Sequence, residues 1–189
     1  MSNTQDRLRI ARSILDFEAR RDAQGRLAIY QLPADDGGGS YEVAGINERH
    51  HPREAKALAD LIRAGRHAEA ETQAISFIAT FTDVADGWTA RTAIESYLRD
   101  SAFNRGPKGA ARILQRAVGV DDDGVVGSIT RTAIGAAEAD PAALLAHLRK
   151  AREAYEREVV GRDETSRFWQ GLVNRWNKAL AFARTFLPG

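Results

Sequence analysis

The chain has 189 residues, 43% of them hydrophobic and 28% charged, enough to bury a core without covalent staples. Its 27 Lys+Arg stand against 26 Asp+Glu, a balance that argues against a generic nucleic-acid binder. The absence of cysteine excludes disulfide frameworks, thiolate zinc sites, iron–sulfur ligation and a cysteine nucleophile.

Helical periodicity dominates the chain. A first helix is expected from about residue 4 to 17 or 20, with Leu8, Ala11, Ile14, Leu15 and Phe17 on or near one face. Ser2 and Gln5 have the spacing of a capping box at its start. Arg9 and Arg12 interrupt the apolar run that a secretory signal needs, so none is read, and no run approaches the ~18 residues of a membrane span. Residues 27–32 and 40–46 are short, apolar stretches on either side of Ala34-Asp35-Asp36-Gly37-Gly38-Gly39, and together they read as a two-stranded hairpin with a glycine-rich tip.

Helices resume after Pro52, where Ala55, Leu58, Ala59 and Ile62 form a stripe that Gly65 closes as a C-cap. A third helix is expected over 67–81 and a fourth from about 89 to 103, ended by Asn104-Arg105-Gly106-Pro107. That stop is the candidate boundary between segments 1–105 and 106–189. Short helices over 110–118 and 128–137 flank a turn at Asp121-Asp122-Asp123-Gly124. Asp140-Pro141 supplies an N-cap and N1 proline for a long helix to about 160. The last helix, near 167–186, presents Phe168, Leu172, Trp176, Leu180 and Phe186 at helical spacing, which puts Trp176 in a core. Arginines outnumber lysines 23 to 4, read here as composition bias and not as function.

Most familiar chemistries are missing. His50 and His51 are adjacent while His67 and His147 stand alone, so neither a metal site nor a cofactor is expected. The Gly37–Gly39 run lacks the Lys-Ser/Thr of a phosphate loop, the aspartate run lacks EF-hand spacing, and no serine sits in a nucleophile elbow. Carboxylates remain. Glu18 falls where the first helix ends, facing the negative end of the macrodipole, which disfavours the charged form. Exclusion of water by Phe17 and the hairpin would add to this, and a carboxyl that keeps its proton near neutral pH suits a general acid. Asp35 and Asp36 lie in a polar, glycine-rich turn where a carboxylate stays ionised. One protonated and one ionised carboxylate flanking a cleft is the layout of a glycosidase. The plainer reading is that Glu18 ends a helix and the aspartates make a turn.

The order of helix, Glu18, hairpin with Asp36-Gly37-Gly38-Gly39, then Gly45-Ile46-Asn47 resembles the family-108 glycoside hydrolases, lysozyme-like muramidases of phages and bacterial secretion systems. Their pattern is Glu-Gly-Gly-Tyr, an Asp, Gly-Gly-x-Thr and Gly-Ile-Thr. Here Ala19-Arg20-Arg21 follows the glutamate, the segment before Asp36 is longer, and no threonine stands at the corresponding place near Ser40. Farther on, Phe103-Asn104-Arg105-Gly106, the run from Ala110 through Leu114-Gln115 to Val120, and Asp123-Gly124-Val125-Val126-Gly127-Ser128-Ile129-Thr130 resemble that family's partner, the predicted peptidoglycan-binding domain. Gly171-Leu172-Val173-Asn174-Arg175 resembles its closing element. The Asp-Gly-x-x-Gly-x-x-Thr signature reads equally as a fold element, with Asp123 and Thr130 capping helix ends.

The resemblance implies a mainly α, lysozyme-like fold with one small β-hairpin lobe, a catalytic domain over 1–105 and a helical peptidoglycan-binding domain over 106–189 packed as one unit. It implies hydrolysis of the β-1,4 bond between N-acetylmuramic acid and N-acetylglucosamine, with Glu18 as general acid and Asp36, less securely Asp35, as the second group. Tyr41, Tyr30, Ser40, Asn104 and Trp88 are the candidate substrate contacts; Tyr and Trp stack on sugar faces through their apolar bodies. The expected partner is the peptidoglycan glycan strand, with no nucleic acid and no membrane insertion. Synthesis in the cytoplasm, export by a holin or secretion apparatus, and action on the wall in the periplasm or outside the cell complete the expectation. A non-catalytic peptidoglycan-binding or secretion-assisting protein is the alternative.

Overall fold

The structure, a computed structural model, describes residues 2–33 and 38–188. Asp35 and Asp36 lie outside the described residues. Seven α-helices and a three-stranded antiparallel sheet make up the described chain, the mainly α, lysozyme-like architecture expected. They are α1 (Thr4–Glu18), β1 (Ile29–Gln31), β2 (Tyr41–Val43), β3 (Ile46–Asn47), α2 (Pro52–Arg63), α3 (His67–Phe81), α4 (Thr92–Ala117), α5 (Ser128–Ala137), α6 (Pro141–Tyr155) and α7 (Trp169–Arg184). A 3₁₀ segment, Asp83–Trp88, precedes α4, and a wider π segment, Glu156–Val160, follows α6.

The chain forms two compact units, one of Ala11–Thr80 and one of Met1–Ile10 with Phe81–Gly189. In the first, Ala11, Ile14 and Leu15 recur at helical spacing on α1 and are buried. The hairpin gains a third strand: Val43 pairs with Ile46 across the two-residue turn Ala44-Gly45, and both side chains are fully buried. The helix α2 packs on β2 and β3, burying Ala55, Leu58 and Ala59.

In the second unit, α4, α6 and α7 pack on one another around Tyr97, Leu98, Leu114, Leu145, Leu148 and Trp176. The expected stop at Asn104-Arg105-Gly106-Pro107 is a kink instead. Gly106 has φ 71° and ψ 167°, a conformation open to glycine, and Pro107, whose missing N–H needs no partner there, restarts the helix at once. Buried residues continue on both sides, Ala102 before the kink and Ala110 and Ile113 after it, so the units divide elsewhere than at 105/106. Asp140 caps α6 as expected, its side chain accepting from the Ala143 N–H at 2.9 Å. Ser2, in contrast, forms no capping box. Asn3 accepts the Asp6 N–H at 2.9 Å, and Ser2 donates from its N–H and hydroxyl to buried Glu95 at 3.0 and 2.7 Å.

Candidate functional site

The last α1 hydrogen bond runs from the Ala19 N–H to the Leu15 carbonyl at 2.7 Å, which leaves half-buried Glu18 as the final residue of the helix. The segment behind it is fixed at several points. The Ala28 N–H donates to the Arg20 carbonyl at 2.9 Å, and Arg21 pairs with Leu27 in an isolated bridge. Asp22 closes the intervening turn by accepting from the backbone of Gln24 and Arg26 and from the Arg26 guanidinium, which with those amides holds its carboxyl below the usual range. Arg21 donates to Asp16 and Glu71, and the Arg20 guanidinium lies 5.0 Å from the centre of the Tyr30 ring.

Strand register sorts the hairpin side chains. Tyr30 pairs with Glu42 and Glu42 with Asn47, so these three share one face. Ile29, Val43 and Ile46 share the other, along with the Gln31–Tyr41 pair. Tyr30 and Tyr41 therefore stand on opposite faces of the sheet. Ser40 is exposed; its N–H donates to Glu48 at 3.1 Å, and its carbonyl accepts from Leu32 at 3.0 Å, extending the β1–β2 pairing.

Asn47 organises the end of this sheet, a role the sequence did not signal beyond its place in Gly45-Ile46-Asn47. Its amide donates to the Gly38 carbonyl at 3.2 Å, its Oδ1 accepts from the Arg49 N–H at 2.8 Å, and its carbonyl receives His50 and His51. Gly39, at φ +94°, runs so close that a Cβ there would stand 2.5 Å from Asn47 Oδ1. Glycine at the tip is thus a packing requirement.

Asn104 and Trp88 belong to the other unit. Trp88 ends the 3₁₀ segment and is half-buried. Asn104 accepts from Arg152 at 3.3 Å through Oδ1, so its side chain already serves the scaffold. Arg152 in turn meets Asp100 at 2.6 Å, and Arg175 meets the same carboxylate at 2.8 Å. Burial pushes the Asp100 carboxyl up, but Arg175 and Arg152 outweigh it and hold it below the usual range. Arg105 forks onto both oxygens of buried Glu156 at 2.7 Å. Arg175 of the closing element, with Asn104 and Arg105 of the 103–106 run, therefore joins a buried ionic cluster, while Asn174 stays exposed.

The Asp-Gly-x-x-Gly-x-x-Thr run is held the same way. Gln115, 1% exposed, donates from Nε2 to Asp123 at 2.7 Å, to the Val125 carbonyl at 3.1 Å and to Thr130 at 3.3 Å, and accepts the Gly124 N–H at 2.8 Å. Asp123 and Thr130 do not cap α5, whose N-cap is Gly127 without a side-chain bond; they bind Gln115 instead. A single amide reading four partners makes the signature a closed structural knot, and a buried Gln within an apolar helical stripe is the signal that points to it.

Residues 109–177 match the family described as Predicted Peptidoglycan domain. The match takes in the Gln115 knot, Arg152 and Arg175, and supports a cell-wall-related protein with peptidoglycan as a partner. The fold is similar to that of Brucella abortus SagA, at 22% identity, 97% coverage of each chain and a TM-score of 0.66. No curated protein matches the chain. Glu18 and the sheet lie outside the matched residues. Among the described residues no three His, Asp or Glu side chains gather as a metal ion would require, and no helix is long and apolar enough to cross a membrane.

Proposed function

We propose that the protein is an endolysin-type N-acetylmuramidase that hydrolyses the β-1,4 bond between N-acetylmuramic acid and N-acetylglucosamine, with Glu18 as general acid. The observation that carries this reading is the setting of Glu18: half-buried at the carboxyl end of α1, followed by a segment clamped to the sheet through the Arg20–Ala28 bond and the Arg20–Tyr30 stack. Glycoside cleavage needs a carboxyl held at a fixed point to protonate the leaving oxygen. Asp36, or Asp35 beside it, is the proposed second group, stabilising the oxocarbenium-like transition state or positioning water. Tyr30, Tyr41 and Ser40 are the proposed candidates for sugar contact on the hairpin. Since Tyr30 and Tyr41 stand on opposite faces of the sheet, one glycan strand meets one of these two rings and not both. The peptidoglycan match over 109–177 supplies the wall-directed partner. The place of action is the cell wall, in the periplasm or outside the cell, reached through a holin or a secretion apparatus.

A second reading, a non-catalytic peptidoglycan-binding or secretion-assisting protein, is favoured by Ala19-Arg20-Arg21 after Glu18, since Arg20 is engaged with Tyr30 where the resembled family has glycine. Mass spectrometry of digested sacculi separates the two. New reducing N-acetylmuramic acid ends mark a hydrolase, anhydro ends a lytic transglycosylase, and sedimentation without products the binding protein. Glu18→Gln keeps the shape and removes the transferable proton, so turnover is expected to fall at least ~100-fold with the melting temperature almost unchanged. A Glu18→Gln protein that clears walls at the parent rate removes this residue from the mechanism.

A further inference from the structure

Within the residues that match the peptidoglycan domain lies an open groove of about 600 Å³, in the range of small-ligand sites, formed by the end of α4, the end of α5 and one face of α6. Its apolar floor is Ala117, Val118, Gly119, Ala137, Ala151 and Ala154, a surface of small groups that alanines dominate. Its rim carries Arg116, His147 and Lys150. His147, Lys150, Ala151 and Ala154 follow one another at i, i+3, i+4 and i+7, so a single face of α6 presents two exposed basic groups beside two alanines. The adjoining face of the same helix sends Leu144, Leu145 and Leu148 into the core.

Two features of this lining select the occupant. Among the described residues that line the groove none is acidic, and none is Trp, Tyr or Phe. Arg116 is already bound to Asp122 and Glu158, but neither His147 nor Lys150 has a carboxylate partner among the described residues. A sugar-binding platform needs aromatic faces, which this groove lacks. A chain that alternates methyl side chains with free carboxylates meets small apolar groups, the Lys150 ammonium and the His147 imidazole as a hydrogen-bond donor. Peptidoglycan offers that chemistry in its stem peptide, where alanines stand among carboxylate-bearing residues, and not in its glycan strand.

We infer that this groove binds the stem peptide of peptidoglycan, with Lys150 and His147 facing its carboxylates and the alanine floor receiving its methyl groups. The inference rests on the wall-binding part of the proposed function and assigns it a site and a ligand class. It makes recognition of the wall a peptide event in the helical unit, separate from the glycan chemistry assigned to Glu18.

The test uses the full chain with Glu18→Gln added, so that the wall is not degraded, and sedimentation with two preparations: intact sacculi and glycan strands stripped of stem peptides by an amidase. Binding to intact sacculi at least about fivefold tighter than to stripped strands is expected, and Lys150→Glu with His147→Glu should remove that difference. Both substitutions are at exposed positions, and an unchanged melting temperature confirms the fold. Ala154→Leu, which fills part of the floor without altering charge, should weaken binding to intact sacculi as well. Equal binding to both preparations overturns the stem-peptide assignment and leaves wall binding standing. Binding to neither overturns both.

Discussion

Every polar side chain buried among the described residues belongs to the unit of Met1–Ile10 and Phe81–Gly189. That unit encloses Glu95, Arg99, Asp100, Arg152, Glu156 and Arg175, each with an opposite charge in contact. The unit of Ala11–Thr80 has an aliphatic core, and its ion pairs, among them Arg21–Glu71, Lys56–Asp60 and Arg66–Glu69, stay at or near the surface. Charge taken out of water is tolerable only when paired and hydrogen-bonded, so the helical unit has committed its polar residues to its own scaffold. The sheet unit keeps Tyr30, Glu42, Ser40 and Glu18 at least partly accessible, where a substrate can meet them. The lesson concerns motifs. In the helical unit the motif residues Gln115, Asp123, Thr130 and Arg175, and Asn104 ahead of the matched span, all have scaffold partners. Lys150, within the span but in none of its motifs, has no carboxylate partner among the described residues.

The contrast can be broken by substitution. Asp100→Asn leaves Arg152 and Arg175 buried with their shared charge removed, and a loss of about 3–5 kcal/mol is expected in urea denaturation. Gln115→Leu keeps the volume but strips Asp123, Thr130 and the Gly124 N–H of their partner, for an expected loss of about 2–3 kcal/mol. Acid should sharpen the same point. Asp100 is held below its unfolded value, so its contribution is present above that value, near 3.9, and disappears as pH falls through the lower folded one. Stability should therefore drop below about pH 4, and part of that slope should vanish in Asp100→Asn. The smallest effect is expected for Glu71→Gln in the sheet unit, at most about 1 kcal/mol and reduced by salt. If Glu71→Gln costs as much as Asp100→Asn, the two units are not built differently.

Sequence pattern revealed the helices wherever local period and caps agreed. The helix over 67–81, the one over 128–137 and the Asp140-Pro141 start are as expected, because 3.6-residue spacing and capping are local properties. The third strand escaped, since two residues carry no period and Ile46–Asn47 is defined by pairing with β2. The kink at Gly106 looked like an end, because glycine followed by proline punctuates in both cases, and continuation depends on what α4 packs against. The arginine excess looks like composition in the sequence, yet Arg99, Arg105, Arg152 and Arg175 pair with buried carboxylates, Arg105 by a two-pronged fork that lysine lacks. At the candidate site, Glu18 at the helix end and the hairpin tyrosines were legible. That Tyr30 and Tyr41 face opposite ways was not, because register is a non-local quantity.

The bond from Ser2 to Glu95 also has a meaning in time. Synthesis proceeds from the N-terminus at about 5–20 residues per second, so Ser2 leaves the ribosome on the order of ten seconds before its partner exists. Residues 11–80 emerge without interruption in that interval, with all the strands of their sheet in hand. The first turns of α1 must wait for a later part of the message before they find their buried contacts. An extension or tag fused ahead of Ser2 would therefore be felt late in folding, at the closing of the helical unit, while the sheet next to Glu18 would form undisturbed.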